Sequence, residues 1–127
     1  MDAKEVLQLY RAGKKEFANV DLVGADLKAI DLHKINFSHA AMSKANLAAA
    51  KLCRANLTGA DLSYANLNKA DLHRANLRKA NLKGADLRGA DLRGADLRGA
   101  NLSWANVQET LFDGAQMENI NLYNAKT

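Results

Sequence analysis

Proline is absent from all 127 residues, cysteine occurs once, and no apolar run has the length of a membrane span or a signal-peptide core. A fold in which nearly every backbone N–H donates to a ladder excludes proline from its interior, so the first absence points toward extensive strand pairing. The lone Cys53 rules out an internal disulfide and fits a reducing compartment. The N-terminal stretch MDAKEVLQLYRAGKKEF scatters its charges, and the expectation is a cytoplasmic protein with no membrane contact. No nucleophile motif, phosphate loop or acid pair is present, so catalysis is not expected and no cofactor is called for. What remains has the composition of an ordinary soluble domain, with a net charge of +4 that points only weakly toward anionic partners.

What is present is a repeat. Reading in fives from Val20 to Asn124 gives 21 consecutive units without an insertion. Alanine opens sixteen of them, leucine takes the third place in sixteen, and the second place is Asp or Asn in 17. Five residues advance a helix by about 500°, which would set successive leucines about 140° apart and smear them around its surface. On a straight strand an odd step would flip each leucine to the opposite side of the sheet. The pattern is satisfied only if the chain turns a corner in every unit, always the same way, so that the first and third residues point inward along a tube. Seven of the eight glycines fall in the fifth place, where a type II turn needs a residue that tolerates positive φ. The corner is therefore assigned to the fourth and fifth places, with the second-place Asp or Asn bonding its own local backbone.

Units such as ADLRG, ANLRK and ANLTG resemble the pentapeptide repeat family over residues 15 to 125 or so. That resemblance implies an all-β solenoid, a right-handed quadrilateral β-helix of about five coils; the spacing argument yields a tube, and only the family yields four sides. Residues 1–14 are read as an N-terminal capping helix and 15–127 as the β-helix domain. Asp2 and Glu5 suit a capping box, Val6, Leu9 and Tyr10 lie at helical spacing, and Gly13 can end the helix. Short cyanobacterial members begin similarly. At the other end no helix is foreseen, which leaves a sheet edge and raises a homodimer through the C-terminal coil as one remedy. The segment TLFDGAQM, which breaks the Asp/Asn rule at Leu111 and Gln116, suggests a distorted final coil.

Four units per coil stack residues 20 apart, about 4.8 Å from one another. One resulting column reads His33, Cys53, His73, Arg93, Asp113. Imidazole and thiolate ligate zinc or copper, but a fixed vertical pitch adapts poorly to tetrahedral coordination and no fourth ligand is evident, so no metal site is assigned. A second feature is a basic belt between residues 69 and 98, with eight Lys or Arg against four Asp. Its candidate polyanion-binding residues are Arg74, Arg78, Lys79, Lys83, Arg88, Arg93 and Arg98, with a solvated surface as the plainer reading. The third is aromatic: Tyr64 and Trp104 share one column with Gly84 between them, and Tyr123 lies near, forming a candidate partner surface.

These features favour a non-enzymatic module that holds a protein partner on a rigid face. Binding of nucleic acid or another polyanion through the basic belt is the alternative. The resemblance also brings in DNA mimicry toward gyrase, which needs a strongly acidic rod, and the charge of this chain disfavours it.

Overall fold

The computed structural model describes residues 1–127. After one helix, the chain forms a right-handed quadrilateral β-helix. Its coils are joined by parallel single-residue bridges between second-place residues 20 apart, from Glu16–Asn36 to Asn106–Lys126.

A single unit shows why proline has no place here. In Ala75–Lys79, Ala75 N–H closes the preceding turn on Leu72 O at 3.0 Å, and Asn76 N–H reaches back one coil to Ala55 O at 2.9 Å. Leu77 and Lys79 N–H reach forward one coil, to Asp96 O at 2.7 Å and Arg98 O at 3.0 Å. The remaining donor, Arg78 N–H, bonds Asn76 Oδ1 at 3.1 Å. All five N–H groups of the unit are engaged, three of them in the ladders between coils.

The corner sits where the spacing placed it. Every fifth-place residue has positive φ, and the non-glycine ones lie between 54° and 63°. With positive φ confined to the third residue of the turn, the geometry is type II. The fifth place holds no Val, Ile or Thr in any unit, because a branched Cβ crowds the left-handed region most severely. Asp and Asn at the second place accept from the fourth-place N–H, as in Val23 to Asp21 at 3.2 Å and Tyr123 to Asn121 at 3.0 Å.

The tube is solid. Leucines from Leu27 to Leu102 are fully buried, and the alanine ladder from Ala40 to Ala105 is at most 1 % exposed. Phe37 and Met42 are accommodated in this interior, and Phe17 packs against Phe37 with ring centroids 6.3 Å apart. Helix α1 (Ala3–Arg11) covers the first coil with the fully buried Val6. It starts at Asp2, whose side chain accepts from Glu5 N–H at 2.9 Å. It stops in a Schellman turn: Gly13, at φ +105°, donates to Tyr10 O and Lys14 to Leu9 O. Leu9, expected on the packed face, is 37 % exposed, while Tyr10 donates its hydroxyl to His33 O at 2.9 Å and so ties the helix to the rod.

The final coil is regular rather than distorted. The ladder bonds of Leu111, Gln116, Asn121 and Lys126 to the preceding coil are all formed at 2.8–3.0 Å. What changes is cover: Phe112 and Met117 are half-buried and Leu122 is 43 % exposed, since no further coil lies on them. Departures from the Asp/Asn rule at Leu111 and Gln116 remove a local side-chain bond and leave the path of the backbone intact.

Candidate functional site

At the fifth place, side chains lie over glycines of the following coil. His39 lies over Gly59, Tyr64 over Gly84 and Arg74 over Gly94, each occupying space that a Cβ on the glycine would need. At the fourth-place column, donor atoms of Cys53, Asp71 and His73 lie within 4.8 Å of one another. His33 is not brought to them; its Nδ1 faces Asp31 Oδ1 at 2.8 Å and the Tyr10 hydroxyl at 3.2 Å. Its hydrogen bond holds the Asp31 carboxyl below the usual range. The column thus splits into a pair tied to the cap and a half-buried cluster one coil further on.

Half of the basic belt is engaged by its own aspartates. Arg88, Arg93 and Arg98 each fork onto the second-place carboxylate of their own unit, with Nη2 to Oδ2 distances of 2.8, 2.8 and 2.6 Å to Asp86, Asp91 and Asp96. Arg78 lies 3.9 Å from the same Asp96. Of the proposed polyanion residues, Arg74, Lys79 and Lys83 are left outside these pairs, and Arg74 and Lys79 stand at successive corners of the rod rather than along one stripe. Each fork also draws its carboxyl below the usual range, chiefly through the hydrogen bond from arginine. A carboxyl depressed from its unfolded value of about 3.9 stabilises the fold fully above that value and loses its contribution as pH falls through the lower folded one. In a carboxyl NMR titration, Arg98→Ala is expected to move Asp96 upward while Asp86 and Asp91 keep their depressed values. An Asp96 that does not move would show that the fork is not formed in solution.

The aromatic feature is the most exposed apolar surface on the rod. Trp104 and Tyr123 are 58 % and 67 % exposed, and their rings meet edge to face with centroids 6.1 Å apart. A backbone bond from Trp104 N–H to Tyr123 O at 2.9 Å sets the two in register. Tyr64, 55 % exposed, lies along the surface of Gly84, so the glycine between the aromatics is filled by a ring and does not form an open pit.

One feature of the surface went unread in the sequence. A polar groove of about 590 Å³ runs between Asn68, Lys69, Arg88, Gln108 and Glu109. A second hollow of the same volume continues it past Ala48 and Ala49 to Lys28. The signal was the pair of small residues at the fourth and fifth places, which lowers the floor between longer neighbours.

A family profile described as pentapeptide repeats matches the chain in eight copies over residues 21–59, 40–78, 55–94, 75–114 and 100–126. The chain belongs to the pentapeptide repeat family. Among solved structures, a pentapeptide repeat protein of Nostoc PCC 7120, alr5209, is 34 % identical with a TM-score of 0.76, over 93 % of this chain and 98 % of that one. Rfr23 of the cyanobacterium Cyanothece 51142 is 27 % identical with a TM-score of 0.60, over 94 % and 99 % of the two chains. A pentapeptide repeat protein of the Arabidopsis thaliana thylakoid lumen is 34 % identical with a TM-score of 0.67, over 69 % of this chain. The present chain spans 61 % of that relative's length. No curated protein matches the chain. For a pentapeptide repeat rod the shared core accounts for the fold, and the outward second, fourth and fifth places carry whatever distinguishes one member from another.

Proposed function

We propose that this pentapeptide repeat protein is a non-enzymatic, cytoplasmic interaction module that presents Tyr64, Trp104 and Tyr123 to a protein partner. The observation that carries the reading is the Trp104–Tyr123 pair: two large rings more than half exposed, yet fixed relative to each other by ring contact and a backbone bond. Exposed aromatics of this kind are the residues that anchor interfaces, and a surface already ordered before binding avoids part of the entropic cost of association. The packed Ala and Leu interior and the open, polar grooves of the exterior are consistent with a scaffold rather than a reaction chamber.

Affinity capture from source cells, comparing wild type with Trp104→Ala, Tyr123→Ala and Arg88→Glu, tests it. The expected result is one protein retained by wild type and by Arg88→Glu and lost from both aromatic variants. Identical captured sets for all four would overturn the reading. The polyanion alternative is weakened by the three Asp–Arg forks, and a DNA or RNA titration checks it independently: affinity that falls steeply with salt would favour it.

A further inference from the structure

We propose that Cys53, Asp71 and His73 form a binding site for one borderline-soft divalent cation, zinc being the natural occupant, on the face of the rod opposite the aromatic pair. A sulfur, a nitrogen and a carboxylate oxygen within 4.8 Å of one another are the donor set of a zinc site with three protein ligands and a fourth position left for water. Zinc holds such donors at about 2.0–2.3 Å, which small rotations of partly exposed side chains about χ1 supply. All three residues are half-buried, so the ion sits against the wall of the rod rather than free in solvent.

Three further observations support the site. First, His73 Nδ1 lies 2.8 Å from Asp71 Oδ1. An imidazole nitrogen and a carboxylate oxygen this close have nearly the separation of neighbouring ligands on one zinc ion, so Nδ1 is the ligating nitrogen and the ion takes the place of the proton shared between the two groups. Second, the two contributing segments are clamped together on both sides of the cluster, by Leu52 N–H to Asp71 O at 2.7 Å and Arg54 N–H to His73 O at 3.0 Å. Cys53 and His73 therefore stand at stacked corners whose backbones are held in fixed register, with Asp71 on the bridge beside them. Third, Arg93, the next residue of the column, has its guanidinium forked onto Asp91 rather than onto the Asp71 carboxylate. A surface hollow of about 400 Å³ bounded by His73, Arg74, Arg93, Gly94 and Asp113 gives solvent, and hence the ion, access to the imidazole. As the sulfur ligates, its thiol proton passes to water.

The column drawn from the sequence paired Cys53 with His73, as the structure does, but its third member, His33, is held by the cap. The ligands come instead from one coil pair, with the second-place Asp71 replacing the distant His33. Lys51 stands where most units carry Asp or Asn, so the cysteine-bearing unit lacks the local carboxylate or amide that elsewhere engages the fourth-place N–H.

Cobalt(II) titration of the full chain tests the site. Wild type is expected to bind one Co²⁺ per chain with a sulfur-to-metal charge-transfer band that Zn²⁺ displaces. Cys53→Ser is expected to abolish the band. His73→Gln and Asp71→Asn are expected to weaken binding by roughly tenfold to a hundredfold, while His33→Gln leaves it unchanged. All four positions face outward, and each variant is expected to retain the wild-type circular dichroism spectrum. As a second measurement, saturating Zn²⁺ is expected to slow alkylation of Cys53 in wild type and not in His73→Gln. Cobalt spectra without thiolate character, or alkylation indifferent to Zn²⁺ in wild type, would overturn the assignment.

Discussion

Leu77→Ala is expected to lower stability by about 2–5 kcal/mol, the range for emptying a fully buried leucine site. Leu77 sits in mid-rod with Leu57 and Leu97 directly above and below, and all three are completely buried. The ladder bonds fix the separation of the coils, so neighbouring backbone cannot collapse into the space, which places the loss toward the upper end. Leu122→Ala supplies the contrast. Leu122 occupies the same place in its unit but is 43 % exposed, and its truncation removes little that was hidden from water. Urea unfolding of the two variants beside wild type measures the difference. Equal losses at the two positions would mean that the stacked interior is not what holds the rod together.

Lys79→Pro is expected to be as damaging as a core deletion, although the lysine is exposed. Its backbone has φ +58° and its N–H donates to Arg98 O at 3.0 Å. Proline removes the donor and holds φ near −65°, on the wrong side of the map, so the corner cannot form and the next coil loses a point of attachment. Interior prolines that remove a bond and clash cost about 3 kcal/mol or more, and the forced change of φ adds to that. Lys79→Gly at the same site is expected to be neutral or to stabilise by up to about 1 kcal/mol, because a left-handed conformation costs a residue with a Cβ more than it costs glycine. Thermal melts of both variants decide the matter. A proline variant that melts with wild type would exclude the proposed corner geometry.

Much of the fold was legible in the residues because a period of five admits few solutions. The inward places, the left-handed corner, the Asx bonds and the N-cap at Asp2 all follow from local rules that each unit obeys independently. The number of sides does not follow from them. The turn angle at each corner is a property of backbone geometry that the order of inward and outward residues leaves open, so four sides came only through resemblance. The surface was less legible for a related reason. A column drawn at a fixed pitch follows one place of the unit only, whereas the cluster at Cys53 and His73 also takes in the second-place Asp71, which belongs to a different column. The Asp–Arg forks could have been found, since the second and fourth places of one unit both face outward and a DLR triplet puts a carboxylate and a guanidinium side by side.

The bridges that join residues 20 apart also govern how such a chain can change its length. Losing a single pentad would leave every inward residue inward and every corner a corner, yet would swing all that follows by a quarter turn and deal its decorations to a different side. Only gains or losses of whole coils preserve the alignment of groups that meet across neighbouring layers. Core and exterior thus obey different arithmetic, one counting in fives and the other in twenties, and a rod shortened by one pentad keeps the pattern of its core while every composite patch beyond the cut is scrambled.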